Sequence, residues 1–222
     1  MMEVDIFSLF PEFFASPLAT SMMERAQKRG MIKVSCHNIR DFATGKHRKV
    51  DDKPYGGGGG MLLMPEPVCK AIRSKRRKES KVIYLSAQGK FLTAEYAQKL
   101  AKETHLILLC GHYEGVDQRA IEAEVDEEIS IGPYVLCSGC LPALVLLEAT
   151  ARFLPGFLGY ANGAYEDSYA GEEQMLEGPS YTRPASFEGK DVPQVLREGA
   201  HAKIRAWRIE EGKKQTERQK EL

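Results

Sequence analysis

Residues 106–142 constrain this chain more than any other stretch. Leu106-Ile107-Leu108-Leu109 runs without a break into Cys110-Gly111-His112-Tyr113-Glu114-Gly115. An acidic segment, 122–128, then leads into Ile129-Ser130-Ile131-Gly132-Pro133-Tyr134-Val135-Leu136-Cys137-Ser138-Gly139-Cys140-Leu141-Pro142. Short apolar runs without polar alternation read as strands covered on both faces, as in a parallel sheet. Each run here stops in a glycine-rich turn, and in open α/β sheets ligands lie beyond the carboxyl ends of the strands. These turns are therefore the expected binding loops. The glycines at 111, 115, 132 and 139 are expected to supply positive φ and to let peptide groups approach a small molecule closely. The plainer alternative is that they are turns and nothing more.

The rest of the chain fits an α/β plan. Residues 4–10, 32–36 and 81–85 read as further strands. A helix over 21–29, closed by Gly30, gives a β-α-β opening. Helices are also predicted over 65–77, from a Thr93 cap to 104, and over 143–153 behind Pro142. The last of these reads as fully buried, with Arg152 as its charged residue. Five consecutive glycines, 56–60, carry a large ordering cost, which points to close backbone approach or to a loop that orders on binding. The alternative is a flexible connector; a P-loop is excluded because no Gly-Lys-Ser/Thr follows. Residues 159–178 read as an interdomain linker. Beyond it come a proline-extended segment, a short helix over 192–196 closed by Gly199, and a basic amphipathic helix from His201 with Ile204, Trp207 and Arg208 on one side.

Composition narrows the function classes. Lys plus Arg and Asp plus Glu each number 31, so the net charge is zero and a generally basic, histone-like binder is excluded. Basic residues nevertheless cluster at 46–49, at 75–78 and along the tail. The run at 75–78 reads first as a solvated face, with phosphate contact as its functional alternative. Five cysteines scattered through apolar stretches point to reduced thiols rather than a disulfide framework. Cys137 and Cys140 form a C-x-x-C without the second pair that a structural zinc needs, so no metal is expected there. No apolar span is long enough to cross a bilayer, and the amino terminus lacks a signal-peptide pattern. The expected location is the cytoplasm.

Motifs spread along the chain resemble one family. They are Asp5-Ile6-Phe7-Ser8-Leu9-Phe10-Pro11, Asn38-Ile39-Arg40-Asp41-Phe42, Lys46-His47-Arg48 with Val50-Asp51-Asp52, and Tyr55-Gly56-Gly57-Gly58 with Gly60-Met61. They continue through Tyr84-Leu85-Ser86, Gly111-His112-Tyr113-Glu114-Gly115, Asp126-Glu127-Glu128, Glu166-Asp167-Ser168, Tyr181-Thr182-Arg183-Pro184 and Trp207-Arg208. In this order they are similar to the bacterial tRNA (guanine37-N1)-methyltransferases, the TrmD family of the SPOUT superfamily.

The resemblance implies an α/β fold with a trefoil-knotted parallel-sheet domain over 1–158, a flexible linker over 159–178 and a small helical tRNA-binding domain over 179–222. It implies homodimers whose active site is shared between subunits. It implies S-adenosyl-L-methionine as methyl donor, held by Leu85, Ser86, Gly111, Glu114, Ser130, Ile131, Gly132, Pro133, Tyr134, Val135, Leu136, Gly139 and Pro142. Asp167 matches the general base and Arg152 the residue that stabilises charge at O6 of the target guanine. The tRNA positions carried over are His47, Asp51, Gly57, Tyr113, Glu114, Ser168, Arg183, Lys203 and Arg208. Magnesium is associated with the family, but the sequence offers no independent ligand set for it. The chain departs from the family's Gly-Asp-Tyr-Val-Leu-Thr-Gly-Gly-Glu-Leu-Pro at 132–142. Pro133 removes an N–H, Ser138 replaces a glycine expected to need positive φ, and Cys140 replaces a carboxylate. A non-catalytic RNA-binding descendant with an impaired donor loop is the alternative function.

Overall fold

The computed structural model describes residues 1–159, 164, 167–169 and 174–221. The chain divides into two compact units, Met1–Gly159 and Tyr160–Leu222. In the first, strands β1 (Met2–Ser8), β2 (Ile32–Asn38), β3 (Ser80–Phe91), β4 (His105–Cys110) and β5 (Glu127–Ser130) form one sheet in the order β2-β1-β4-β3-β5. Every pairing in it is parallel. All six residues of β4 are buried, as its uninterrupted apolar run requires of a central strand.

The longer helices of this unit are α1 (Ser21–Lys28), α2 (Pro65–Lys75), α3 (Ala94–Leu100), α4 (Gln118–Glu124) and α5 (Cys140–Ala151). Successive strand residues point to opposite faces, and the core divides accordingly. Ile6, Ile83, Leu106 and Leu108 join Met23, Leu100, Ala143 and Leu146 in one cluster, so α1, α3 and α5 cover that face. Phe7, Val82, Ile107 and Leu109 join Val68, Ile72 and Ala120 in the other, under α2 and α4. Each fully buried aliphatic side chain contributes about 1.5–3 kcal/mol relative to exposure. That is enough to make the split core, rather than any surface contact, the main source of stability.

Several expectations change on contact with the structure. Helix α5 is not fully buried: Leu141 and Val145 are exposed, and Glu148, a second charged residue, lies on the same outer side. Arg152 follows the helix as its C-cap. The basic run at 75–78 is largely exposed, as a solvated face would be, but its arginines, like Arg73 of α2, are paired within the chain. Arg73 donates to the buried Glu124 carboxylate at 2.6 Å, Arg76 reaches the Glu124 carbonyl and Asp126 at 2.6 and 2.8 Å, and Arg77 pairs with Glu3 at 2.8 Å. Asp126 in turn accepts from the Val82 N–H at 2.7 Å, so the run braces α2 against the segment leading into β5.

In the second unit, Ser186–Phe187 and Lys190–Asp191 form a hairpin the sequence reading missed. Its turn places Glu188 and Gly189 at φ of 50° and 77°, the left-handed pair that two-residue hairpin loops favour. A short helix, Gln194–Arg197, precedes α6 (His201–Lys220). On helix α6 Ile204 and Trp207 are half-buried, and the fully buried position is Gly212. A Cβ there would collide with the Leu176 carbonyl, and the Leu176 N–H donates to Thr216 Oγ1 at 2.9 Å. Residues 174–178, read from sequence as linker, thus lie along α6. Tyr165 and Glu166, and most of 159–173, fall outside the described residues.

One buried polar group ties four strands of the sheet together. Asp5 contacts His37 Nε2 at 2.5 Å and His105 Nε2 at 2.9 Å, and His105 Nδ1 lies 2.7 Å from Ser80 Oγ. Burial pushes the Asp5 carboxyl up, but the hydrogen bonds from His37 and His105 outweigh it and hold the group below its ordinary range. A carboxyl depressed in the folded state adds stability above its unfolded pKa of about 3.9, and that stability is lost as pH falls through the folded value. Urea unfolding is therefore expected to show stability falling below about pH 4, with Asp5→Asn costing about 1–3 kcal/mol at neutral pH and flattening the acid limb. An unchanged acid limb in the variant would remove Asp5 from this account.

Candidate functional site

The carboxyl ends of β3, β4 and β5 lie side by side, and the segments leaving them enclose a cavity of about 350 Å³. Its walls are residues 84–88, 111–116, 128–132 and 134–139, with Gln118 and Ile121 of α4 and Pro142 of α5. That volume falls within the range of small-molecule sites, roughly 300–1,000 Å³. Of the residues expected around a methyl donor, Leu85, Ser86, Gly111, Glu114, Ser130, Ile131, Gly132, Tyr134, Val135, Leu136, Gly139 and Pro142 all line it; Pro133 does not.

The walls depend on backbone contact. Gly139 N–H donates to the Gly111 carbonyl at 2.9 Å, and His112 and Ser138 form an isolated antiparallel bridge beside it. A Cβ on Gly139 would sit 2.9 Å from Cys110 Cα, closer than real Cβ atoms come, and 3.1 Å from Gly111 N, tighter than most such contacts. A Cβ on Gly111 would meet the Tyr84 hydroxyl at 2.8 Å. Of the four glycines assigned positive φ, only Gly115 has it, at 112°; the others are needed for space, not for backbone freedom. Ser138 likewise keeps an ordinary φ, so its replacement of a glycine introduces no strain, and its hydroxyl accepts from the Cys140 N–H at 3.3 Å.

The loop between Leu85 and Lys90 leaves the ladder and returns to it, so that both residues pair with Ile129. Gly89 makes this possible, since a Cβ there would strike the Glu128–Ile129 backbone. Tyr84 stands at the base of the cavity. Burial first, and then the Glu128 carboxylate, push its phenol up to about 12, so it stays a neutral hydrogen-bonding group.

The glycine run divides into two parts. Gly56, Gly57, Gly58 and Gly59 have nothing within reach of an added Cβ, whereas one on Gly60 would strike the Glu114 side chain. Leu63 N–H donates to the Gly115 carbonyl and Glu114 N–H to Met61, both at 3.0 Å, which fastens the end of the run to the cavity wall. Among the expected tRNA positions, Tyr113 and Glu114 line the cavity, Asp51 pairs with Leu63, and His47 and Gly57 are exposed. In the second unit Ser168 Oγ accepts from Glu177 N–H at 3.0 Å, and Lys203 is exposed on α6. Arg183 and Arg208 line a separate cavity there of about 710 Å³. Arg197 lines it too and was missed. Asp167 belongs to the second unit; Arg152, exposed at the end of α5, belongs to the first.

His112 lines the cavity within the loop expected there, whereas Tyr84 and Gln88 were not singled out although both line it. The signal was present for Tyr84, which lies inside a quoted motif. Among the described residues, no group of three or more His, Cys, Asp or Glu is placed to hold a metal ion, and no helix is long and apolar enough to cross a membrane.

A parallel sheet with a peptide-lined crevice at its carboxyl edge defines an α/β protein with a cavity of small-molecule size at the ends of three strands. The family model described as tRNA (Guanine-1)-methyltransferase TrmD matches residues 2–222, and the chain belongs to that family. Relatives named tRNA (guanine-N(1)-)-methyltransferase include that of Chlamydia pneumoniae, 57% identical over 97% of this chain, and that of Chlamydia trachomatis serovar D, 59% identical over 93%. This chain spans only 59% and 58% of the length of those two proteins. The Protochlamydia amoebophila protein of the same name is 53% identical, with 97% of this chain and 96% of that protein covered.

The contact between the two turns has a measurable cost. Gly139→Ala is expected to lower unfolding free energy by about 1–3 kcal/mol in urea titration, whereas Gly59→Ala, with open space and no positive φ, stays within about 0.5 kcal/mol. Equal stability of the two variants would refute the tight contact at Gly139.

Proposed function

We propose that the chain transfers a methyl group from S-adenosyl-L-methionine to N1 of guanosine 37 in tRNA. The observation that carries this reading is the cavity itself: three strand-end loops, in the order the family motifs prescribe, enclose a volume suited to a small molecule. The fit is supported by the glycines at 111 and 139, where side chains would fill the walls. Main-chain groups of 131–136 would hold the adenine, and Leu85, Ser86 and Gly111 the rest of the donor. The donor's sulfonium supplies an electrophilic methyl, so the transfer formally needs no metal.

The acceptor has to be prepared by this chain's own residues. Guanine N1 is a weak acid and a poor nucleophile until its proton leaves, which calls for a carboxylate within hydrogen-bond reach. Asp167 is assigned that role. Deprotonation spreads negative charge to O6, and the Arg152 guanidinium is assigned to stabilise it. The enzyme is read as a homodimer with a trefoil-knotted first unit, each active site drawing Asp167 from the second unit of the partner subunit. The tRNA substrate implies a cytoplasmic location. The substitutions at 133, 138 and 140 do not favour a non-catalytic descendant: Pro133 lies outside the cavity lining and Ser138 is unstrained.

Methyl transfer from labelled donor to unmodified tRNA transcripts, with and without guanosine at 37, tests the reading. Product is expected only with guanosine 37. Asp167→Ala is expected to lower turnover by roughly 10²–10⁴ with donor binding near normal, and Arg152→Ala by roughly 10²–10³. Undiminished turnover in either variant would remove that residue from the mechanism.

A further inference from the structure

We propose that Cys140 is a positioning residue for the donor cavity: its sulfur, together with Ser8 and His112, clamps the turn at 111–116 to the turn that precedes α5. The inference rests on the donor reading above. Ser8 Oγ lies 3.1 Å from His112 Nε2 and 3.2 Å from Cys140 Sγ, and the sulfur lies 3.7 Å from the same ring nitrogen. All three residues are buried. They come from the end of β1, the turn after β4 and the first position of α5, so one small polar cluster ties together three segments far apart in sequence. Gly111, His112 and Tyr113 on one side of the clamp, and Ser138, Gly139 and Pro142 on the other, are themselves cavity wall. Movement at the cluster therefore changes the shape of the site.

The chemistry of the sulfur explains why a cysteine serves here. Cys140 opens a twelve-residue helix, where unpaired amides and the helix dipole favour negative charge. A hydrogen bond from Cys110, joined by those from His112, Ser8 and Ser138, outweighs burial and draws the Cys140 thiol well below its ordinary range. Complete burial and that same contact push Cys110 up, so it remains the neutral donor. Cys36 on β2 is also raised, to about 11, first by burial and then by the charge on Cys140. The groups facing the sulfur are thus an imidazole, the hydroxyls of Ser8 and Ser138, and two neutral thiols. The family pattern has a glutamate at this position. The cysteine puts in place of that carboxylate a sulfur in contact with Ser8 and His112, whose ionisation these contacts favour.

Calorimetric titration with S-adenosyl-L-methionine, run on the wild type, Cys140→Ser and Cys140→Glu, tests this. Loss of a charge-assisted contact is expected to weaken donor binding about tenfold or more in the serine variant. The glutamate variant should stay within about threefold of the wild type. Turnover at saturating donor should change little in either, and the wild type should show a thiolate ultraviolet absorption at neutral pH that both variants lack. Thermal melts of the three proteins separate weakened binding from unfolding, and if the serine variant does not fold, the glutamate variant and the absorption difference still decide. Equal donor affinity in the wild type and the serine variant, or the absence of the thiolate signal, overturns the inference alone. No heat from the wild type overturns the donor reading and the inference with it.

Discussion

Two segments that end neighbouring parts of the sheet touch here without side chains between them. Gly139 rests against Cys110 and Gly111, and the contact is held by a peptide hydrogen bond on one side and a buried polar cluster on the other. Everything that shapes the cavity depends on this approach. It sets where α5 begins, which in turn places Pro142 and the apolar helix against the sheet. It also fixes the entrance of the 111–116 turn, from which Tyr113 and Glu114 project. A wall made of peptide groups is rigid and offers donors and acceptors at fixed spacing. For recognising a heterocycle, that is a better surface than flexible side chains.

The strands and the position of the site were legible because both follow from strong, local signals. Uninterrupted apolar runs demanded burial on two faces, and the glycines ending them marked the carboxyl edge of the sheet. What could not be read was why each glycine was there. Sequence does not distinguish a residue that needs left-handed backbone from one that needs room, and three of the four proved to be of the second kind. The same blindness applied to α5, whose apolar composition suggested full burial although Leu141 and Val145 face outward. Residue type reports what a helix is able to bury, not what the fold provides to cover it. The hairpin at 186–191 was missed because its strands are two residues each, too short for any alternation to register.

The charged residues illustrate a second limit. A run of arginines looks the same in sequence whether it meets solvent, phosphate or carboxylates from elsewhere in the chain. Here Glu124 is buried and hydrogen-bonded to α2, so the run is internal bracing. Exposed ion pairs contribute little, about 0–1 kcal/mol, but a buried carboxylate without its guanidinium partners would be strongly destabilising. The net neutrality of the chain thus conceals an uneven arrangement: some positive charge is neutralised within the fold, and some remains outward on the second unit.

Gly60 carries a consequence of its own. It stands where a run with no close neighbours gives way to a segment hydrogen-bonded into the cavity wall, and its missing side chain leaves room for the carboxylate arm of Glu114. The exposed tip of the run and the wall of the crevice are therefore joined through one residue, so that a substitution at Gly60 would be felt at both.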